Sequence, residues 1–135
     1  MPKALTGFVA IVDDDSAVRK ALGRLLGASA ICSRAYASGR EFLQSLPSGA
    51  PDCLIVDLQM PEMTGLEVQA ELTQAGAHIP TIVITAHHDA GLRERCLTAG
   101  AAAYLVKPLD EVVLLASINS AISAELARAV AAPGR

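Results

Sequence analysis

Five short strand-like runs, four of them largely apolar, punctuate the chain, and each is followed by a stretch whose apolar positions recur at helical spacing. The first run, Phe8 to Val12, is unbroken and meets Asp13, Asp14 and Asp15. That is the pattern of a strand buried on both faces that ends at solvent. Val18, Ala21, Leu22, Leu25 and Leu26 then keep helical spacing, with Arg19, Lys20 and Arg24 on other faces, so a helix is expected from about Ser16 to Ala28. Ile31 to Ala37 is more polar and reads as an edge strand. Ser38 and Glu41 have capping-box spacing and start a short helix carrying Phe42, Leu43 and Leu46, which Pro47 to Pro51 then break. Cys53 to Val56 is the third strand, and Asp57 is its terminus.

Thr64 and Glu67 form a second capping box, opening a helix with Leu66, Val68 and Leu72 that stops at Gly76. Pro80 introduces a β-branched strand, Thr81 to Thr85, followed by Ala86, His87, His88 and Asp89. Asp89 is the expected N-cap of a helix carrying Leu92, Cys96 and Leu97, with Gly100 as its stop. Ala102 to Val106 is the fifth strand and hands over to Lys107 and Pro108. Asp110 caps a long last helix, in which Leu115, Ile118, Ile122 and Leu126 hold one apolar stripe and the segment from Ala127 to Arg135 is expected to fray.

This alternation implies an α/β fold: a parallel sheet covered by helices on both faces, joined by right-handed crossovers, in a three-layer sandwich. A chain of 135 residues makes one domain, placed at residues 1–127 with 128–135 as a tail or the start of a linker.

A parallel sheet gathers its strand carboxyl ends along one edge, where open α/β folds bind ligands. Asp13, Asp14, Asp57, Thr85 and Lys107 should therefore meet despite their separation in sequence. Two carboxylates ~4 Å apart repel by ~4 kcal/mol at an effective dielectric near 20, so such a cluster requires a cation or raised pKa values. Magnesium fits best, since it takes oxygen ligands and commonly pairs one or two carboxylates with a phosphate. No His or Cys stands beside these acids to favour zinc. A cation, an ammonium and a hydroxyl around one carboxylate suit a dianionic phosphoryl group, with Asp57 as the nucleophile.

Composition narrows the classes without changing this picture. Hydrophobic residues make up 52%, yet no unbroken apolar run approaches a membrane span of ~18 to 20 residues, so a soluble chain is expected. No secretory signal is evident at the N-terminus, which makes the cytoplasm the expected compartment. A net charge of −3 leaves no basic footprint for nucleic acid. Cys32, Cys53 and Cys96 are odd in number and widely spaced, and read as reduced thiols.

The set Val12-Asp13-Asp14, Asp57-Leu58-Gln59-Met60-Pro61, Thr85-Ala86 and Lys107-Pro108, in this order, resembles the receiver domain of bacterial two-component response regulators over nearly the whole chain. The wording of Met60 to Gly65 and Val83 to Asp89 is most similar to receivers of the nitrogen-fixation type, which usually precede a helix-turn-helix domain. The resemblance implies a flavodoxin-like fold with strand order 2-1-3-4-5. It also implies that Asp57 accepts a phosphoryl group from a sensor histidine kinase. Asp14 would then ligate magnesium directly, Asp13 would act mainly through water, and the backbone carbonyl of Gln59 would be a further ligand. Thr85 and Lys107 would contact the phosphoryl group, with the Lys107–Pro108 bond cis. Tyr104 would turn from an outward to an inward rotamer, altering the face formed by the fourth helix, fifth strand and last helix, and a phosphorylation-dependent homodimer would be permitted. By the same resemblance, Gln59 and His87 would stand where the family tunes the lifetime of the aspartyl phosphate.

Blander readings exist for each piece. An acidic run is usually a solvated helix entry, Lys107 alone would be a surface charge, and Tyr104 alone a core aromatic. His78, His87 and His88 read as surface or loop residues, and Cys53 as packing. A phosphatase or dehalogenase with a strand-end Asp nucleophile would need a second acid where Gln59 stands. A degenerate, phosphorylation-independent receiver would not need Asp14, Asp57, Thr85 and Lys107 all intact.

Overall fold

The computed structural model describes residues 7–131. Strands β1 (Val9–Val12), β2 (Ser33–Tyr36), β3 (Cys53–Asp57), β4 (Thr81–Thr85) and β5 (Ala103–Val106) alternate with helices α1 (Ser16–Ala28), α2 (Gly39–Ser45), α3 (Gly65–Gln74), α4 (Ala90–Thr98) and α5 (Glu111–Ala131). A short 3-10 turn, Leu46–Ser48, follows α2. The strands form a single parallel sheet in the order β2-β1-β3-β4-β5, so the expected flavodoxin-like sandwich is the observed one.

Side chains alternate across each strand, and the two faces of the sheet feed two cores. Ala10, Val12, Leu54, Val56 and Val83 face Phe42, Val68, Leu72 and Cys96 from α2, α3 and α4. Val9, Ile11, Ile55, Ile82 and Ile84 face Leu22 and Leu26 of α1 and Leu114, Ile118 and Ala121 of α5. The three central strands β1, β3 and β4 are buried along their whole length, as their unbroken apolar runs require, whereas β2 and β5 at the edges are half-exposed.

Helix starts follow the polar signals closely. Asp15 caps α1, accepting from the Ala17 amide, and Thr64 and Glu67 complete a reciprocal capping box on α3. Asp89 and Asp110 accept from the Leu92 and Val113 amides at the starts of α4 and α5. At α2 the box is incomplete: Ser38 accepts from the Glu41 amide, but the Glu41 carboxylate accepts from Ala37 rather than from Ser38.

Three helix faces differ from the sequence expectation. In α5 the buried residues are Leu114, Ile118 and Ala121, while Leu115 and Ile122 are only half-buried, so the inner face is rotated by about one position from the expected stripe. In α4 only Cys96 is fully buried, and in α3 the polar Gln69 joins Val68 and Leu72 inside. Helix α5 also continues through Ala131, past the point where fraying was expected. Its segment Glu111–Ala129 has mean hydropathy 1.3 and is long and apolar enough to cross a membrane by length and composition. A search for unbroken apolar runs overlooks it because Ser117, Asn119 and Ser120 interrupt the series. In the fold this segment is the helix that covers one face of the sheet through Leu114 and Ile118.

Candidate functional site

The carboxyl ends of β1, β3, β4 and β5 lie side by side because the register pairs Val12 with Val56, Asp57 with Ile84, and Thr85 with Val106. Each strand thus delivers one of the expected residues to the same rim. Asp57, the last residue of β3, is 5% exposed, and Asp13, the first beyond β1, is fully buried. Asp14 follows in the exposed turn. One carboxylate oxygen from each of Asp13, Asp14 and Asp57 lies within 4.8 Å of the other two.

Lys107, presented by the end of β5 ahead of a cis Lys107–Pro108 peptide, reaches into this cluster. Its Nζ donates to Asp13 Oδ2 at 3.0 Å and stands 3.7 Å from Asp57 Oδ1. Burial pulls the lysine pKa down, but the hydrogen bond to Asp13 and the charges of Asp57 and Asp13 outweigh it, so the net shift is upward and Lys107 stays an ammonium. Asp57 moves the other way from an ordinary ion-paired acid. Burial and the Asp13 charge raise it to about 6, the latter helped by Asp14, and Lys107 and the backbone of Gln59 only partly offset this. One lysine does not neutralise three acids.

Asp13 has no free polar atom. Its N–H donates to the Tyr36 carbonyl, its own carbonyl accepts from Arg19 Nη1, Oδ1 accepts from the Asp15 amide and Oδ2 from Lys107. Each oxygen that accepts one bond keeps a second lone pair, so Asp13, Asp14 and Asp57 each still offer a carboxylate oxygen to a shared cation. The donor set fits a hard divalent ion: clustered carboxylates, no nitrogen or sulfur ligand, and a charge deficit registered by Asp57 itself.

The rim is shaped by the β3–α3 loop. A Cβ added at Gly65 would lie 2.9 Å from the Asp57 carbonyl oxygen and 3.1 Å from Leu58 Cα, both main chain, so the loop folds back onto the acid only because residue 65 has no side chain. The Gly65 amide, donating to Leu58 O at 3.0 Å, fastens it there. Gln59 is exposed in this loop beside Asp57.

Two of the expected residues do not join the cluster. Thr85 is fully buried, and its hydroxyl is engaged with the main chain of His87, at 3.2 Å from both the amide and the carbonyl. Tyr104 packs against the core under α4, with its hydroxyl enclosed and making no hydrogen bond of standard geometry. Burial pushes its pKa up, and the nearby Asp89 backbone offsets only part of the shift.

A sequence profile described as "Response regulator receiver domain" matches residues 9–119. The chain belongs to the response regulator receiver family. Among curated relatives, this receiver is 38% identical over 112 residues to the response regulator protein TodT of Pseudomonas putida, covering 83% of this chain and 49% of that protein. It is 37% identical to the transcriptional regulatory protein FixJ of Azorhizobium caulinodans over 133 residues, 95% of this chain and 61% of FixJ. A response regulator receiver protein from Burkholderia phymatum, 47% identical, superposes with a TM-score of 0.77 over 87% of this chain and 96% of its own. The receiver thus spans about half the length of TodT and somewhat more of FixJ.

Two residues of the site were not singled out in the sequence. Arg19 reads there only as a charge on an outer face of α1, yet it folds back to the Asp13 carbonyl. Gly65 reads as the end of a loop, and its close approach to the Asp57 main chain becomes evident only in three dimensions.

Proposed function

We propose that this receiver domain is a phosphorylation switch in which Asp57 takes a phosphoryl group from a phosphohistidine of a sensor kinase, with magnesium held by Asp14, Asp57 and the backbone carbonyl of Gln59 and approached by Asp13 through water. The observation that carries this reading is the cluster itself: three carboxylates within 4.8 Å, with one ammonium 3.7 Å from the acid at the end of β3. An Asp57 oxygen attacks phosphorus, the P–N bond breaks with its electron pair going to the imidazole nitrogen, and an acyl phosphate forms. A divalent ion bound here would neutralise charge on the transferring oxygens. Lys107 needs only to exchange its bond to Asp13 for one to the incoming phosphoryl oxygen, a short swing from 3.0 Å contact.

Thr85 completes the switch by leaving the His87 main chain for a phosphoryl oxygen. Tyr104, partly buried against the core beside α4 with its hydroxyl unpartnered, would change rotamer as Thr85 moves and so alter the α4-β5-α5 face. Val106, Val112 and Val113 are exposed at that face and suit phosphorylation-dependent association with a second copy or docking of an output partner.

The test is transfer from a phosphorylated histidine kinase in the presence of magnesium. Wild type should acquire a hydroxylamine-sensitive label and D57N should not. Equal labelling of both would rule out Asp57 as acceptor, and steady release of phosphate from simple esters would favour the phosphatase alternative.

A further inference from the structure

Arg19 lies in the first turn of α1, six residues beyond Asp13, and its guanidinium bends back under the turn that joins β1 to α1. Nη1 donates to the Asp13 main-chain carbonyl at 2.8 Å. That carbonyl belongs to a residue with no solvent exposure, and it stands just past the last β1 position paired with β2 and β3. A buried carbonyl without a donor is costly, and a charged donor makes one of the stronger hydrogen bonds available to it. The same peptide group links Asp13 to Asp14. Fixing its plane fixes the direction in which Asp14 leaves the main chain, while Asp15, bonded to both Asp13 Oδ1 and the Ala17 amide, holds the other side of the turn.

We infer that Arg19 is a positioning residue: by holding the Asp13 carbonyl it sets the Asp13–Asp14 peptide so that the Asp14 carboxylate faces Asp57, and divalent-ion affinity at the rim depends on it. This rests on the metal reading of the site given above. Two effects of removing Arg19 oppose each other, which makes the inference decidable. As a bare positive charge near the acids, Arg19 disfavours a cation, so neutralising it should tighten binding. As a positioning group it favours the cation, so removing it should loosen binding, by roughly 10- to 100-fold as for other groups that orient metal ligands.

The experiment is a titration of the full chain with magnesium chloride, following the backbone amide NMR signals of Asp14 and Asp57, for wild type, R19M, R19Q and R19K. Positioning predicts weaker binding in R19M, with partial recovery in R19K, which keeps an ammonium donor, while thermal melting stays cooperative. Unchanged or tighter binding in R19M and R19Q would overturn the inference and leave the metal site standing. Loss of cooperative folding in both neutral variants would overturn it too, since Arg19 would then be needed for the fold. A wild-type protein whose Asp14 and Asp57 signals show no saturable response to magnesium would instead remove the metal reading itself, and this inference with it.

Discussion

At the scale of single residues, the decisive quantity is the charge deficit around Asp57. Its folded-state pKa of about 6 lies above the ordinary 3.8, so the folded protein binds a proton more tightly than the unfolded chain does. The stability this brings is complete below pH ~4 and is lost as pH rises through 6. Without metal, D57N should therefore be more stable than wild type at neutral pH, by on the order of 2 kcal/mol, and the difference should vanish toward pH 4. Urea melts of both proteins with EDTA at several pH values would show it, and a constant difference across that range would refute the assignment. Lys107 supplies the only ammonium in contact with the cluster among the described residues, so K107Q should slow phosphoryl transfer. Removing one such electrostatic donor typically costs about 100- to 1000-fold in rate. Stopped-flow phosphorylation by acetyl phosphate would measure the loss.

At the scale of elements, the strands and caps were largely legible in the sequence, and helix faces were less so. Central strands announce themselves because both of their faces are buried, leaving unbroken runs such as Leu54 to Val56 and Ile82 to Ile84. Caps are local chemistry, which is why Thr64, Asp89 and Asp110 stand where their side chains suggested. Helix α5 has apolar residues on both the Leu114 and Leu115 sides, so periodicity alone does not choose between them; packing against β3, β4 and β5 does. L114A should accordingly cost about 2–5 kcal/mol, whereas V112A, at a position 75% exposed, should stay within about 0.5 kcal/mol. Chemical denaturation of the two variants would compare them. The loop after β3 carries its own constraint. G65A should cost about 1–3 kcal/mol and disturb the Asp57 and Leu58 amide signals, because the added methyl meets backbone that has nowhere to retreat.

At the scale of the whole molecule, the site exists because a parallel sheet converts distant segments into neighbours. Asp13 and Lys107 are 94 positions apart and share a hydrogen bond. The residue types that would meet could be read in sequence because each ended an apolar run. What each would touch could not: Thr85 turns to the His87 main chain, the Tyr104 hydroxyl is buried without a partner, and Arg19 closes under the acidic turn. These contacts depend on loop conformation rather than on strand pattern. The most direct measurement is intact mass spectrometry after incubation with acetyl phosphate, with magnesium or with EDTA. Wild type should gain the mass of one phosphoryl group in magnesium alone, and D57N should gain none. A gain that persists in D57N, or that forms equally well in EDTA, would contradict an ion-assisted acceptor at Asp57.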